Sequence, residues 1–346
     1  MTASRARPRE LGLVLGTLEP ADANAITDVE GVIVGHATVD ADDDACVRTG
    51  VTAILPHDGN LLTAPVPAAV HVINGFGKAV GTTQVEELGI VETPIVLTNT
   101  FSVGEAYTAV VRHALRRNSP GESVRTVNPL VLECNDGWLN EIAAMRIEPA
   151  HVLRAIDTAS GGPVAEGSVG AGRGMLCFGW KGGIGTSSRR VGSSVVGALV
   201  LANFGSRRDL VVAGVPVGQL LGTKRSETEP QRVGGSCIVV LAVDAPLDAR
   251  QLRRLAARTQ YGLGRTGAVG HHSSGDYAVA FSTSHERAPA DGAWLDPFFH
   301  AAIEATEEAV VGALFAAETV TGVGGHVGYG LPVDEVSALV ARDGRA

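Results

Sequence analysis

The stretch Ser236 to Val243, SCIVVLAV, narrows what this chain can become more than any other. After Ser236 every residue is apolar and most are β-branched or large aliphatic, the signature of a buried strand. Two glycines, Gly234 and Gly235, run directly into it. Other short apolar runs repeat the theme: Asp28–Val39, Arg48–Pro56, Thr93–Thr100, Asn128–Trp138, Ser194–Gly205, Leu210–Gly218 and Asp276–Ser284 read as strands. Between them, Ser102–Asn118, Glu148–Ala159, Pro246–Gly264 and Phe298–Val320 carry apolar residues at helical spacing. The basic end of Ser102–Asn118 suits a helix C-terminus, and Gly264 reads as the stop of the third helix. Strands and helices alternate in runs, so the class is layered α/β or α+β. Aromatic residues are 4% of the chain, so its core is built from Ala, Val, Leu and Ile. The 44 glycines have no triplet period and imply tight turns and close backbone contacts, not a fibre. With 346 residues, 45% of them hydrophobic, the chain can bury a large core, taken here as a single domain of residues 1–346.

Several function classes are disfavoured. A net charge of −9 argues against nucleic acid or an anionic membrane as partner. No run reaches the ~18 apolar residues of a membrane span. The N-terminal apolar run is shorter than the roughly 7–15 residues of a secretory core, so a cytoplasmic location is expected. Cys46, Cys134, Cys177 and Cys237 are widely spaced, which suggests neither structural zinc nor a disulfide framework. The Gly-rich stretch Glu166–Arg189 is no phosphate loop, because Lys181 is followed by Gly182 and not by Ser or Thr. It reads as a glycine-rich hairpin. His271 and His272 lack a ligand partner at helical spacing, and Asp40–Ala45 lacks the spacing of a calcium loop. The segment Gly222–Arg232 is polar and aperiodic, a candidate flexible surface loop.

The Gly235–Ser236 junction permits one uncommon reaction. The Ser236 hydroxyl can attack the Gly235 carbonyl, which no side chain shields, and glycine tolerates the backbone strain involved. The resulting ester hydrolyses and leaves Ser236 with a free α-amine. An α-amine has a pKa near ~7.7–8.0, so it can serve as the base for its own hydroxyl. A plain turn into a strand would account for the glycines equally well, but not for Ser236.

The wider sequence resembles the L-aminopeptidase/D-amidase-esterase family, which includes the β-peptidyl aminopeptidases. GGSCIVVLAVDAPLDARQLRRLA followed by GLGRTG carries the resemblance. It continues through NAITDVEGVIVGHATV, VRTGVTAILP, VLTNTFSVG, ECNDGWLNE, EGSVGAGRGM, ALVLANFGSRRDL, SSGDYAVAFST and EATEEAVVGALFAAETVTG, in order along nearly the whole chain. The resemblance implies a four-layer αββα sandwich of the N-terminal-nucleophile type. It implies one self-cleavage, between Gly235 and Ser236, giving fragments 1–235 and 236–346 that stay together. It also implies homo-oligomers, usually tetramers of the cleaved unit, and no metal or organic cofactor.

Residue by residue, Ser236 matches the nucleophile and Asn203 the amide that stabilises the oxyanion. Ser274 and Asp276, two apart and so on one strand face, match the pair that orients the Ser236 amine. Glu133 matches the carboxylate that takes the free amino group of a small peptide, amide or ester. Two departures stand out. Where the family commonly has Thr-Tyr before Asp-Gly, this chain has Cys134 and Asn135, so Asn135 replaces a phenol in the substrate pocket. Phe101 stands where histidine is more common. The expected function is therefore a serine aminopeptidase or amidase-esterase working through an acyl-enzyme on Ser236. An acyl transferase like ornithine acetyltransferase is the alternative, and a non-cleaving binding or structural protein the third.

Overall fold

The run that begins at Ser236 is a strand buried at every position in the computed structural model, which describes residues 5–118, 123–221 and 235–343. The segment Gly222–Arg232 lies outside the described residues. In chain order the first elements are β1 (Ile33–Asp42), β2 (Cys46–Leu55), β3 (Val66–Gly75), α1 (Thr82–Leu88), β4 (Ile90–Val91) and β5 (Ile95–Asn99). Then come α2 (Val103–Arg116), β6 (Leu130–Cys134), α3 (Pro149–Asp157), β7 (Leu176–Cys177), β8 (Trp180–Lys181), β9 (Gly183–Val191), β10 (Ser194–Asn203) and α4 (Val217–Leu220). The last part holds β11 (Ser236–Val243), α5 (Ala249–Ala256), α6 (Thr259–Arg265), β12 (Gly275–Ser282) and α7 (Asp296–Ala316). It ends with the short pair β13 (Val320–Thr321) and β14 (Val327–Gly328) and with α8 (Val333–Arg342).

Two sheets form the middle of the molecule. The smaller has the order β1-β2-β5-β6, the larger β4-β3-β12-β11-β10-β9. Strand alternation sorts their side chains into three cores. In β11, Ile238, Val240 and Ala242 face the smaller sheet and meet Ile54, Leu97, Leu130 and Leu132. Cys237, Val239, Leu241 and Val243 face the other way, toward Leu252, Leu255 and Val310 of α5 and α7. Val51, Val96 and Val131 of the smaller sheet pack outward against Val110 of α2 and Val152 of α3. The layers are therefore helix, sheet, sheet, helix, the expected αββα sandwich. This explains the unbroken apolar run: β11 has a core on each face. Full burial contributes roughly 1.5–3 kcal/mol for each large aliphatic side chain. A slip of one residue would exchange the two sets and turn Ser236 to the wrong face.

Three readings of local structure need correction or addition. Leu210–Gly218 is not a strand. Val212 and Val215 form an isolated bridge across a turn in which Ala213 has a φ of 50°, and Val217 starts the short α4. Val212, Val215 and Val217 are buried there in the core on the helix side of the larger sheet, so apolar content without a paired neighbour does not make a strand. Pro246–Gly264 is two helices, α5 and α6, and Gly262 and Gly264 lie inside the second. Gly262 is there because α7 is close: a Cβ on it would sit 2.5 Å from the Ile303 carbonyl oxygen. Strand β3 carried no recognised signal, because VPAAVHVING mixes small and polar residues, yet it pairs with β12 inside the larger sheet. The remaining strands and helices fall where the sequence put them, to within a few residues. Glu166–Arg189 does contain a hairpin, β7–β8, before it enters β9.

Candidate active site

The site is built on one rung of the larger sheet. Ser236, first in β11, lies opposite Asn203, last in the antiparallel β10, and beside Gly275, first in the parallel β12. Alternation from Leu201 and Ile238 turns the Asn203 and Ser236 side chains to the same, inter-sheet face. There Asn203 Nδ2 donates to Ser236 Oγ at 3.4 Å and to the Asn135 carbonyl oxygen at 3.0 Å. Asn203 Oδ1 accepts the Leu176 N–H at 2.9 Å. These contacts fix which end of the amide faces the serine. Ser236 is 4% exposed and Asn203 9% exposed.

Gly235 precedes this rung. Its carbonyl oxygen accepts the Gly275 N–H at 3.2 Å. A Cβ at Gly235 would stand 2.3 Å from the Asn203 carbonyl oxygen, so no side chain fits. The close approach of β10 therefore requires a glycine there.

Ser274 and Asp276 do meet. Ser274 Oγ donates to Asp276 Oδ1 at 2.7 Å. Ser274 lies just outside β12, so the loop, and not strand alternation, brings the hydroxyl round. Asn74 Nδ2 holds that loop by donating to the carbonyl oxygens of His271, His272 and Ser274. Burial pushes the Asp276 carboxyl up, while the Ser274 hydroxyl and the Cys237 amide partly offset it. A cavity of about 250 Å³ lined by Phe204, Leu263, His271, Ser274 and Asp276 opens beside the pair.

Glu133 is buried, not a surface acid. Its Oε1 accepts the Lys78 N–H at 2.8 Å, and its Oε2 accepts the Thr100 hydroxyl. Gly77 lies between Glu133 and the Ser236 rung. A Cβ on Gly77 would be 3.4 Å from Glu133 Oε1, 2.7 Å from the Tyr277 ring and 3.3 Å from Gly275 Cα. Tyr277 donates its hydroxyl to the Gly77 carbonyl oxygen at 3.0 Å. Asn135 meets Asn203 through its backbone only. Its side chain is exposed and accepts the Gly137 N–H at 3.0 Å. Phe101 is half exposed. Cys134, one half of the departure from the family pattern, points into the inter-sheet core. Its thiol donates to the Leu201 carbonyl oxygen at 3.7 Å.

Residue-type reasoning missed Asn74, Gly77, Thr100 and Tyr277. Thr100 alone left a trace, as part of the small polar end of Thr93–Thr100. His271 and His272 sit in the loop before β12, and among the described residues no group of three or more His, Cys, Asp or Glu is placed to hold a metal ion. The acidic Asp42–Asp44 turn pairs with Arg48 and Arg146. No helix among the described residues is long and apolar enough to cross a membrane.

Comparison with known proteins adds an independent line. Residues 24–328 match Peptidase family S58. The β-peptidyl aminopeptidase BapA of Sphingosinicella microcystinivorans is 42% identical over 374 aligned positions, covering 99% of this chain and 93% of that protein. The crystal structure of the PH0078 protein from Pyrococcus horikoshii OT3 superposes with a TM-score of 0.90 at 44% identity, covering 99% of this chain and all of the other. The L-aminopeptidase D-Ala-esterase/amidase of Ochrobactrum anthropi superposes with a TM-score of 0.87 at 39% identity, covering 98% and 99% of the two chains. That protein is described as a prototype of the serine aminopeptidases and a variant of the Ntn hydrolase fold.

Proposed function

The chain belongs to peptidase family S58 and is a hydrolase with the fold of an Ntn-hydrolase neighbour, and from that premise we propose that it is a self-cleaving serine aminopeptidase acting on small peptides, amides or esters with a free amine. Ser236 Oγ attacks the Gly235 carbonyl carbon. The Gly235–Ser236 C–N bond breaks, the proton passes to nitrogen, and an ester forms. Water hydrolyses it, leaving Gly235 as a carboxylate and Ser236 with a free α-amine. The cleaved halves, 1–235 and 236–346, stay together because β11 is embedded between β10 and β12. In turnover the α-amine takes the Ser236 hydroxyl proton, and Ser274 and Asp276 hold that amine. The hydroxyl attacks the substrate carbonyl, Asn203 Nδ2 donates to the oxyanion, and Glu133 pairs with the substrate ammonium. Water then releases the acyl group.

The observation that carries this reading is the Asn203–Ser236 rung, which sets a neutral amide donor 3.4 Å from the hydroxyl on a water-poor face. The Gly275 N–H on the Gly235 carbonyl adds to it, since the carbonyl that would be attacked already has a donor on its oxygen.

Intact mass of the purified protein tests the reading. Two fragments are expected from wild type, and one full-length chain from Ser236→Ala. Cleavage that persists in Ser236→Ala rejects the mechanism. Native mass on the same sample reads the oligomer, for which four cleaved units are expected. Acyl transfer to added amines in place of hydrolysis would favour the acyl-transferase alternative.

A further inference from the structure

The Asn203 amide is held by two backbone groups that belong to loops, and each loop is closed by a buried ionisable residue that no step above uses. We infer that Asp136 and Lys181 are positioning residues that clamp the Asn203 amide against the Ser236 hydroxyl, one from each side. The inference rests on the reading of Asn203 as the oxyanion donor.

The first side is the loop after β6. Its Asn135 carbonyl receives the Asn203 Nδ2. The next residue, Asp136, is 1% exposed. Its Oδ2 accepts the Thr49 hydroxyl at 2.5 Å, and its Oδ1 accepts Asn140 Nδ2 at 3.0 Å. Thr49 in turn accepts from Asn99 Nδ2 at 2.8 Å, and Asn99 Oδ1 takes the Phe101 and Ser102 amides at the head of α2. One carboxylate thus ties the loop to β2, β5 and α2.

The second side is the β7–β8 hairpin. Its Leu176 N–H donates to Asn203 Oδ1, and Leu176 pairs in register with Lys181. Lys181 is fully buried. Its Nζ donates to the Gly172 carbonyl at 2.9 Å and the Gly182 carbonyl at 2.8 Å, which closes the hairpin base. The two loops also touch: a Cβ on Gly174 would lie 2.7 Å from Asp136 Cβ.

Neither residue forms an ion pair among the described residues. Burial pushes the Asp136 carboxyl up to about 7 and the Lys181 ammonium well below its usual range. A fold that needed only packing would gain by replacing both with apolar groups. Both retain instead the hydrogen bonds that fix Asn135 and Leu176.

The test reads kcat and KM for a free-amine amino-acid p-nitroanilide, with active protein counted as the cleaved fraction by intact mass. Asp136→Ala and Lys181→Met should each lower kcat by about tenfold or more with KM within about threefold, as expected for loss of transition-state alignment alone. Asp136→Asn keeps an oxygen for Asn140 and turns its NH₂ to the Thr49 oxygen, so kcat should return to within about threefold of wild type. The deciding arm is the Asn203→Ala background. With the amide gone, adding either substitution should cost less than about twofold, because the residues act through Asn203. Full additivity there overturns the proposal, and so does an unchanged kcat in Lys181→Met and Asp136→Ala. If Asn203→Ala alone leaves activity intact, the oxyanion reading falls first, and the two failures are told apart. If Asp136→Ala does not fold, Lys181→Met carries the cycle alone, and Asp136→Asn serves as its near-wild-type control. Where Asn203→Ala cleaves only slowly, the half-time of self-cleavage replaces kcat as the readout.

Discussion

Two regions of this molecule bury ionisable groups, and they treat them in opposite ways. Under α7, Arg189 is fully buried, with Nε 3.3 Å from Glu304 and an NH₂ group 2.6 Å from Glu308. Arg9 adds a second cation to Glu308 at 2.8 Å. Burial pushes both carboxyls up. At Glu304 the Leu18 and Thr17 amides, the Thr17 hydroxyl and Arg189 reverse the sign, and at Glu308 Arg9 and Arg189 do, so both acids end below their usual range. A single arginine is not enough: Glu166 beside Arg7 and Glu307 beside Arg265 stay raised, with desolvation the larger cause. At the opposite ends of the strands, Glu133, Asp136 and Asp276 form no ion pair among the described residues and rely on hydroxyl and amide donors. The charges under α7 are neutralised at home and hold the helix layer to the larger sheet. The acids at the strand ends have no ion-pair partner among the described residues, and at such a place an outside charge can be bound.

The comparison breaks first at Arg189. Arg189→Met keeps the volume, takes the arginine from buried Glu304 and leaves buried Glu308 with Arg9 alone. It should destabilise the fold by about 3–5 kcal/mol, the loss typical of breaking a buried pair from one side. Below the melting transition, the kcat of the cleaved protein should stay within about twofold of wild type, because nothing in the cluster touches the Ser236 rung. Denaturant unfolding and the p-nitroanilide assay on one sample read both. A loss of activity without a loss of stability would mean the two regions are not separate.

The next effect is a slope with pH. The Asp136 carboxyl is raised from 3.8 to about 7 in the folded chain. Between those values the folded state holds a proton that the unfolded state releases. Stability is therefore highest at the acid end of the window and falls as pH rises through it, by up to about 1.4 kcal/mol per pH unit, then levels off above pH 7. Asp136→Asn cannot titrate, so the difference between its unfolding curve and that of wild type isolates this slope. The paired acids Glu304 and Glu308 act in the opposite sense, since their lowered values give stability that is lost as pH falls. A difference curve that is flat from pH 4 to 7 would remove Asp136 from the unpaired group.

How much of this was legible in the sequence follows from the kind of contact involved. Ser236 stood out because glycines run into it at the head of an apolar run, and Asn203 was marked by the family resemblance; β10 and β11 bring the two onto one rung. Ser274 and Asp276 were likewise marked by the resemblance, and a loop makes their contact. Asn135 was singled out for a side chain that turns onto its own loop, while its contact with Asn203 is made by the backbone carbonyl, which no residue type announces. Asp136 and Lys181 stayed hidden for another reason. Lys181 was tested as a phosphate-loop lysine and set aside, and its true partners are carbonyls of glycines in its own loop system. Asp136 meets Thr49 across 87 residues of chain, a distance that local patterns do not span.

The smallest effect concerns Glu133, and it sharpens the comparison most directly. This acid is 4% exposed, and its partners are one amide and one hydroxyl. Lys78, whose backbone N–H meets Glu133, turns its Nζ to the Phe76 ring and carbonyl and gives Glu133 no charge. The missing positive charge would then come from the substrate ammonium. Free-amine p-nitroanilides should be cleaved at least about tenfold more efficiently than their N-acetyl forms, because acetylation removes that charge and leaves a buried carboxylate unmatched. Glu133→Gln should lower kcat/KM for the free amine by about tenfold. It should leave the acetylated substrate unchanged, and also self-cleavage, in which the attacked glycine carries no free amine. Equal rates on both substrates with wild type would place Glu133 with the acids whose role is structural, and would remove the aminopeptidase reading in favour of a general amidase.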